Sequence, residues 1–203
     1  MTASAPGLAA DRCAAFFPKG RWQMTHAIHF RLADGAAGNA LGVATLDGRS
    51  VTCALMTVEG LTLFAARSPD KGPLEVVRAL PPFDGRAFAE GLIADVRTLF
   101  LPPAGAVSLG RLADGSELCR FIADQEITDV IPDQDGCFQL ATYAPPASGA
   151  DAPRRTRTLV ARGCRPAGDS LIPGDATLTG HGPAGYTLKL HLLSAEPLPS
   201  ANP

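Results

Sequence analysis

Cysteines are the first candidates for chemistry in this chain of 203 residues, which carries five of them: Cys13, Cys53, Cys119, Cys137 and Cys164. No two are spaced as C-x-x-C, and none has a histidine at ligand spacing, so the pattern excludes zinc-ribbon and thioredoxin-like sites. The odd number argues against a fully paired disulfide framework. We expect half-buried thiols that act as small hydrophobic residues. The alternative is a Cys119–Cys137 disulfide, if the strands that carry these two residues are neighbours.

The four histidines are the second candidate set. His26 and His29 lie three residues apart in a predicted strand, so their side chains point to opposite faces and cannot chelate one metal ion together. His181 lies between two glycines in a predicted loop, and His191 lies on the polar face of the last predicted strand. We therefore interpret all four as surface residues.

Two stretches of like charge could bind ions or partners. The acidic stretch consists of Asp124, Glu126, Asp129, Asp133 and Asp135. Its spacing is not that of an EF-hand loop, so a solvated sheet edge is favoured over a calcium site. The basic stretch consists of Arg154, Arg155, Arg157, Arg162 and Arg165. It could bind the phosphate of a lipid headgroup or an acidic partner, or pair with the acidic stretch inside the fold.

No catalytic motif is present in the sequence. There is no G-x-S-x-G, no P-loop and no dinucleotide-binding G-x-G-x-x-G, and no local signature supports a thiol nucleophile. We predict no catalytic residue, no metal site and no cofactor, and hence a protein that is not an enzyme. The net charge of −2 and the absence of aromatic residues among the arginines argue against nucleic acid as a partner. No apolar run is long enough to predict a membrane-spanning segment.

The residues above must be positioned by a mostly β fold. With 21 Gly and 18 Pro, the chain is punctuated as expected for many short strands joined by turns. Residues 25–66 predict a four-stranded meander with Asp-Gly and Glu-Gly turns, and 74–80 a further short strand. Later strands are predicted at 116–123, 126–131, 137–143, 156–162 and around 186–192, where apolar and polar residues alternate. The length suits one domain over 1–203, with a flexible loop at about 144–154 and a frayed tail from 197.

Two helices are predicted. A short one lies within residues 7–17. The long one spans 85–100 and places on one side Phe88, Leu92, Ile93, Val96, Leu99 and Phe100. Asp84 is its expected N-cap, and Pro102-Pro103 prevent its continuation.

The hairpin of residues 53–66 is apolar on both faces. If Glu59-Gly60 is a two-residue turn, Val58 pairs with Leu61, Met56 with Leu63, and Leu55 with Phe64. Each large apolar side chain left in water forgoes roughly 1.5–3 kcal/mol of burial, so both faces need cover. The helix 85–100 can cover one face. The other must meet a second sheet, a partner or a ligand, either as a filled sandwich or barrel or as a concave apolar cavity suited to acyl chains.

Three parts of the sequence together suggest a known family: the segments Leu41–Asp47 and Leu55–Phe64, and the run Pro81-Pro82-Phe83 that leads into the helix 85–100. In these parts the chain resembles the LolA/LolB superfamily of bacterial envelope lipoprotein carriers. This resemblance implies a mainly β fold: a strongly curved antiparallel sheet, or half-barrel, with one main covering helix and a short N-terminal helix. It also implies binding of the lipid chains of lipoproteins or related amphiphiles, without catalytic residues.

The resulting hypothesis is non-enzymatic binding or carriage of a hydrophobic or amphiphilic ligand, with contacts from Met56, Val58, Leu63 and Phe88. The expected partners are a hydrophobic small molecule or acyl chain and, secondarily, an envelope protein. Two alternatives remain open: an envelope interaction module with a filled core, and an enzyme that uses the same cavity. Residues 1–13 lack a signal-peptide pattern. The resemblance nevertheless implies a protein of the bacterial cell envelope, periplasmic or lipid-anchored after removal of a signal segment, with a cytoplasmic location as the open alternative.

Overall fold

The computed structural model of the protein describes residues 6–145 and 152–199. Within these residues the chain forms two helices, α1 (Pro6–Ala14) and α2 (Arg86–Phe100), and fourteen strands. The strands before α2 are β1 (Arg21–Leu32), β2 (Ala37–Asp47), β3 (Ser50–Met56), β4 (Thr62–Ser68) and β5 (Glu75–Ala79). The next are β6 (Ala106–Arg111), β7 (Glu117–Ala123), β8 (Glu126–Pro132), β9 (Phe138–Ala144) and β10 (Arg154–Arg162). The last are β11 (Arg165–Ala167), β12 (Ser170–Ile172), β13 (Asp175–Gly180) and β14 (Tyr186–Pro197).

Twelve strands form one curved antiparallel sheet in the order β5-β4-β3-β2-β1-β14-β13-β10-β9-β8-β7-β6, and β11 and β12 form a separate hairpin. In the described residues β5 and β6 are the two edges of the large sheet, which is therefore open. α2 connects these edges, and its apolar side is buried against the concave face. The predicted half-barrel with one main covering helix and a short N-terminal helix is confirmed.

Glycines on β2 make room for large side chains on the concave face. A Cβ atom on Gly42 would lie 2.5 Å from Cδ1 of Ile28, and one on Gly38 would lie 2.7 Å from Cζ of Phe30. The side chains of β1 therefore extend over the neighbouring strand, because β2 has no side chain at these positions.

The hydrophobic core lies between α2 and the concave face. The apolar residues of α2 that are buried are Ala89, Ile93, Val96, Leu99 and Phe100. They belong to one cluster with fully buried sheet residues such as Met24, Leu46, Phe64, Leu140 and Leu178. Burying a Phe, Leu or Met side chain stabilises the fold by roughly 1.5–3 kcal/mol. The cover by α2 and the packing of Phe17 on Phe138 thus both contribute to the burial of this cluster.

The N-terminus of α2 differs from the prediction. Its N-cap residue is Gly85, not Asp84, and no side chain caps it. Aromatic packing stabilises this end instead, since the ring of Phe88 lies 5.2 Å from Phe83 and 5.3 Å from Phe64. Tertiary packing has replaced the expected capping bond.

The predicted meander of residues 25–66 is confirmed and continues into β5. Its last hairpin has a longer turn than predicted: the amide of Thr57 donates to Leu61 O and the amide of Gly60 to Thr57 O. Gly60 has a φ of 91°, which suits a three-residue loop with a bulge. Leu55 pairs with Phe64 as predicted, but Met56 pairs with Thr62, so the predicted Met56–Leu63 and Val58–Leu61 pairs are wrong.

The predicted end regions are only partly described. β14 extends to Pro197, and the amide of Leu198 donates to Arg21 O, so the frayed tail is wrong for residues 197–199. Residues 200–203 lie outside the described residues. Of the predicted flexible loop, 146–151 also lie outside them, while Ala144 ends β9 and Arg154 begins β10.

Two disulfides join Cys13 to Cys119 and Cys137 to Cys164, with Cα–Cα distances of 5.8 and 5.4 Å. The expectation of free thiols is wrong for these four residues. The alternative Cys119–Cys137 bond is wrong as well, because β8 lies between the strands concerned. Cys53 is free and buried, and burial raises the pKa of its thiol to about 11.

Non-reducing peptide mapping should therefore recover Cys13–Cys119 and Cys137–Cys164, with Cys53 reacting with a thiol reagent only after unfolding. Chain-entropy arguments predict that the bond spanning 106 residues contributes about 4–5 kcal/mol and the one spanning 27 residues about 3–4 kcal/mol to the free energy of unfolding. Urea unfolding with and without reductant measures their sum. A Cys119–Cys137 peptide, or more than one thiol in the unfolded, unreduced protein, would contradict the assignment.

Candidate functional site

A small apolar hollow lies between α2 and the concave face, with a volume of about 40 Å³. Leu92 and Leu99 line it from the helix, and Ile28, Leu55 and Leu190 line it from the sheet. Ligand pockets generally measure about 300–1,000 Å³, whereas this volume holds no more than roughly three water molecules. The site is therefore closed in this structure.

Short residues on β2 and β3 form the floor of the hollow. Gly42, Ala44 and Cys53 occupy positions that face α2, where longer side chains would fill the space. The hollow exists because these side chains do not reach the helix.

Besides Cys53, two ionisable residues line the hollow, and one of them is Asp95 of α2. The carboxylate is buried; it accepts a hydrogen bond from Arg157 Nε at 2.8 Å and from Tyr186 Oη at 2.6 Å. Burial raises the pKa of Asp95, and the bonds from Tyr186 and Arg157 oppose this rise. Burial, followed by the Asp95 charge, also raises the pKa of Tyr186. Removing one partner of such a buried pair typically costs about 3–5 kcal/mol, so this cluster fixes α2 on the sheet.

Arg157 and Tyr186, the two partners of Asp95, lie in one row of residues that crosses five neighbouring strands of the sheet. The row runs Thr128, Thr142, Arg157, Gly180, Tyr186. A Cβ atom on Gly180 would lie 2.3 Å from the ring of Tyr186, so glycine is what lets that ring cross β13 toward Asp95. The next row, two residues along each strand, is wholly apolar: Val130, Leu140, Leu159, Leu178, Leu188.

His26 of β1 also lines the hollow. It is 6% exposed, and its ring lies 5.3 Å from that of Phe100. Burial, with a smaller contribution from the charge of His191, lowers the pKa of His26 to about 4. The surface interpretation is wrong for this residue, because strand alternation turns it inward. The other histidines are exposed and contact Asn39, Thr158 and Asp175.

A second and wider pocket lies on another side of α2, against β8, β9 and β10, with a volume of about 180 Å³. We call it the arginine pocket, after its three arginines Arg49, Arg97 and Arg157. The rest of its polar lining consists of Glu126, Thr98, Thr128 and Thr142. Arg157 thus touches both the pocket and the Asp95 cluster.

The four predicted ligand contacts are not brought together around the hollow. Met56 and Leu63 are half-buried on the outer face of the sheet, because Leu55 and Phe64 face inward. Val58 is 65% exposed at the hairpin tip. Phe88 packs on Phe64 at the N-terminal end of α2. Their role in binding stays a prediction, while the hollow itself is lined by other residues.

A sequence signal for the missed Asp95 does exist. Asp95 lies seven residues after Phe88 and four before Leu99, and so falls on the apolar face of α2. A carboxylate at such a position requires a buried partner. Nothing in the sequence showed that Arg157 and Tyr186 would supply it, since they belong to distant strands.

Within each of the two charged stretches, some side chains are buried and others are exposed. Asp129 is buried and accepts two hydrogen bonds of 2.7 Å from Arg120, so this part of the acidic stretch is not a solvated edge. Arg157 turns inward, whereas Arg155 lies over the ring of Tyr143 at 5.6 Å. Among residues 6–145 and 152–199, no three His, Cys, Asp or Glu side chains are grouped so that they could hold a metal ion.

Comparison with known proteins supports the fold. No protein-family model matches the sequence, and no curated protein matches it. A LolA superfamily protein from Nitrosomonas europaea superposes with a TM-score of 0.62 at 10% identity, over 97% of this chain and 96% of that one. The chain has a LolA-like fold.

Two further solved structures have a similar fold. A domain named as an outer membrane lipoprotein-sorting protein, from Vibrio parahaemolyticus, gives a TM-score of 0.59 at 12% identity, over 96% of this chain and 93% of that one. A DUF1329 family protein from Desulfovibrio piger gives 0.55 at 8% identity, over 96% and 92%. At these identities the comparisons establish the fold alone. Neither helix in the described ranges has the length and apolar character needed to cross a membrane.

Replacing Gly180 with alanine should displace the Tyr186 ring from Asp95 and destabilise the protein by about 1–3 kcal/mol. Gly110→Ala is the matched control on β6, because its Cβ would meet only Leu118 side-chain atoms at 3.4 Å or more. It should change the free energy of unfolding by less than about 0.5 kcal/mol. Equal effects of the two substitutions in urea unfolding would contradict this role for Gly180.

The stability of the protein should fall in mild acid because of His26. Its pKa is 6.5 in the unfolded chain and about 4 in the folded protein, so the unfolded state binds more protons between these values. The stabilisation is complete above about pH 6.5 and is lost toward pH 4, by up to about 3 kcal/mol.

Urea unfolding between pH 7.5 and 4.5, compared with His26→Gln, measures this effect. In the variant, the free energy of unfolding should depend less steeply on pH, by the contribution of one titrating proton. The comparison is necessary because the raised pKa of Asp95, in the same hollow, changes stability in the opposite direction with pH. Parallel curves for the two proteins would show that His26 does not titrate as described.

Proposed function

We propose that this protein binds the apolar chain of a lipid, a lipoprotein or a related amphiphile between α2 and the concave face of its sheet. The observation that carries the proposal is the apolar hollow over a floor of short side chains. The LolA-like fold supports it, because similar structures include a LolA superfamily protein and a lipoprotein-sorting domain. Binding would come from apolar burial, at about 0.8 kcal/mol per methylene group, without a covalent step.

A chain can enter only if α2 moves outward. The hollow must grow roughly tenfold to reach the usual size of a ligand pocket, and the hydrogen-bonded sheet is the stiffer of its two walls. The polar bonds that oppose the movement are those of Asp95 with Arg157 and Tyr186, and that of Arg97 with Ser68. Pro81-Pro82 and Pro102-Pro103 flank the helix and have no amide hydrogen to donate. We infer that α2 moves as one body between these flanks.

The four residues predicted to contact the ligand are part of this proposal. Phe88 faces Phe64 of the concave wall, so outward movement of α2 would expose both rings to the ligand. We propose that Met56, Val58 and Leu63, on the outer face and at the tip of the β3–β4 hairpin, contact the part of the ligand that stays outside the hollow. Their partial or full exposure is consistent with such contacts.

The disulfides support a location in an oxidising compartment. Two disulfides are expected where the compartment is oxidising, such as the periplasm, and are rare in a reducing cytoplasm. We therefore favour a periplasmic or envelope-attached protein over a cytoplasmic one.

An interaction module with a filled core is the second candidate, and the small volume of the hollow favours it. Its docking surface would be the outer face of the first meander, where Leu41, Val43, Met56 and Leu63 are half-buried. The edge strand β5 adds Val76 and Val77, which are 49% and 73% exposed. An enzyme is less well supported, because Asp95, Arg157 and Tyr186 already satisfy one another.

Filling the hollow should separate the two candidates. Ala44→Leu adds a branched side chain inside, whereas Thr45→Leu adds a similar one on the outer face of the same strand. Titration of delipidated protein with a fluorescent fatty acid should show binding to the wild type and to Thr45→Leu. Ala44→Leu should weaken binding by about tenfold or more, since it removes the space for roughly two methylene groups.

Urea unfolding of Ala44→Leu serves as the control. A cooperative transition shows that the variant is folded, so that weaker binding reflects the filled hollow. No fatty-acid binding to any of the three proteins would overturn the carrier proposal and leave the interaction module. Equal affinity of Ala44→Leu and wild type would place the ligand elsewhere on the protein.

A further inference from the structure

We propose that the arginine pocket is a binding site for a phosphate group. It is separate from the apolar hollow and lies on another side of α2. Arg49 comes from the β2–β3 turn, Arg97 from the last turn of α2, and Arg157 from β10. Elements far apart in the sequence thus bring three arginines to the lining of one cavity of about 180 Å³.

Arg97 is the residue of the pocket whose charge is least compensated. Its side chain donates to the neutral hydroxyl of Ser68 at 3.1 Å. Within residues 6–145 and 152–199, no carboxylate oxygen lies within 4.0 Å of its guanidinium group. Burial, and then the nearby charge of Arg49, lower the pKa of Arg97, while Asp70 opposes this effect. A partly buried cation beside a second cation is stabilised by an anion.

The other charges in and around the pocket do not supply that anion. Asp95 pairs with Arg157, and Asp70 lies 3.9 Å from Arg49. Glu126 is the one carboxylate that lines the pocket, and its side chain is exposed. Arg157 and Arg49 thus have carboxylates nearby, whereas Arg97 is the arginine of the pocket that has no ion pair in the described residues. The favourable position of Arg97 at a helix C-terminus stabilises its charge by only about 0.3–1 kcal/mol.

Two buried hydroxyl groups provide further donors. Thr128 and Thr142 are 3% and 2% exposed, and their hydroxyls are 3.4 Å apart. Thr128 Oγ1 also lies 3.4 Å from Glu126 Oε1. Hydrogen bonds between hydroxyls are normally 2.5–3.0 Å long, so these contacts leave both groups weakly satisfied. A buried hydroxyl without a good partner costs free energy. An oxyanion in the pocket would reduce this cost, because it would accept hydrogen bonds from these hydroxyls.

This donor set fits phosphate better than carboxylate. Arginine presents a planar pair of donors that matches phosphate oxygens. A phosphate monoester has three terminal oxygens, which could accept hydrogen bonds from Arg49 and Arg97 and from the hydroxyls of Thr128 and Thr142. The phosphate could be free or part of a lipid headgroup. In either case the recognition chemistry is the same.

Isothermal titration at low ionic strength with inorganic phosphate, and separately with a short-chain lysophosphatidic acid below its micelle concentration, tests the proposal. At least one probe should bind with a Kd of about 1 mM or tighter. Arg97→Gln should weaken binding by about tenfold or more, and Glu126→Gln should strengthen it by about two- to fivefold, because it removes a repelling charge. Arg165→Gln, on the exposed strand β11 and away from the pocket, should leave it unchanged.

The two probes identify the source of the phosphate. Similar affinities indicate free phosphate, and much tighter binding of the lipid indicates a headgroup. Absence of binding by both probes, or binding that Arg97→Gln leaves intact, would overturn the site. If Arg97→Gln fails to fold, Thr142→Val takes its place with the same expected loss. Ala44→Leu should not alter inorganic phosphate binding, so failure of the acyl-chain proposal and failure of this one can be told apart.

Discussion

The position of α2 depends on one buried carboxylate. Asp95 lies on the apolar face of the helix, and its charge is acceptable there only because Arg157 and Tyr186 reach it from two strands of the sheet. Apolar packing alone would allow the helix to slide or rotate on the concave face, since dispersion and burial are not directional. The hydrogen bonds to Asp95 select one position, and Gly180 makes one of them geometrically possible.

That position divides the interior into two spaces of different chemistry. On one side Leu92, Leu99 and the short residues of β2 and β3 enclose an apolar hollow. On the other, Arg49 and Arg97 line a pocket together with Thr128 of β8 and Thr142 of β9. Asp95 borders the first space and Arg157 the second, so any movement of α2 that opens the hollow must also change the arginine pocket. An amphiphile with an apolar chain and an anionic head would encounter both environments in one molecule.

Much of the fold could be predicted from the sequence because its strands and main helix are amphipathic. The alternation in residues 25–66 and the apolar side of α2 are local properties, and both predicted elements are confirmed. The strands β6, β11, β12 and β13 escaped prediction, since they lie in Gly- and Pro-rich segments where no period is visible. The choice between faces of the β3–β4 hairpin also failed: a one-residue difference decides whether Leu55 or Met56 faces inward. Long-range pairings such as Cys13–Cys119 and Asp95–Arg157 depend on topology, which local patterns do not specify.

We propose that α2 is the movable wall of an apolar binding site on the concave face. A crystal structure of the protein grown with a long-chain fatty acid would show whether the helix moves. An alkyl chain should lie between α2 and strands β1 to β3, in contact with Leu55 and Ala44, with the hydrogen bonds to Asp95 broken or lengthened. A chain bound only on the outer face, with α2 and the hollow unchanged, would rule out this role for α2.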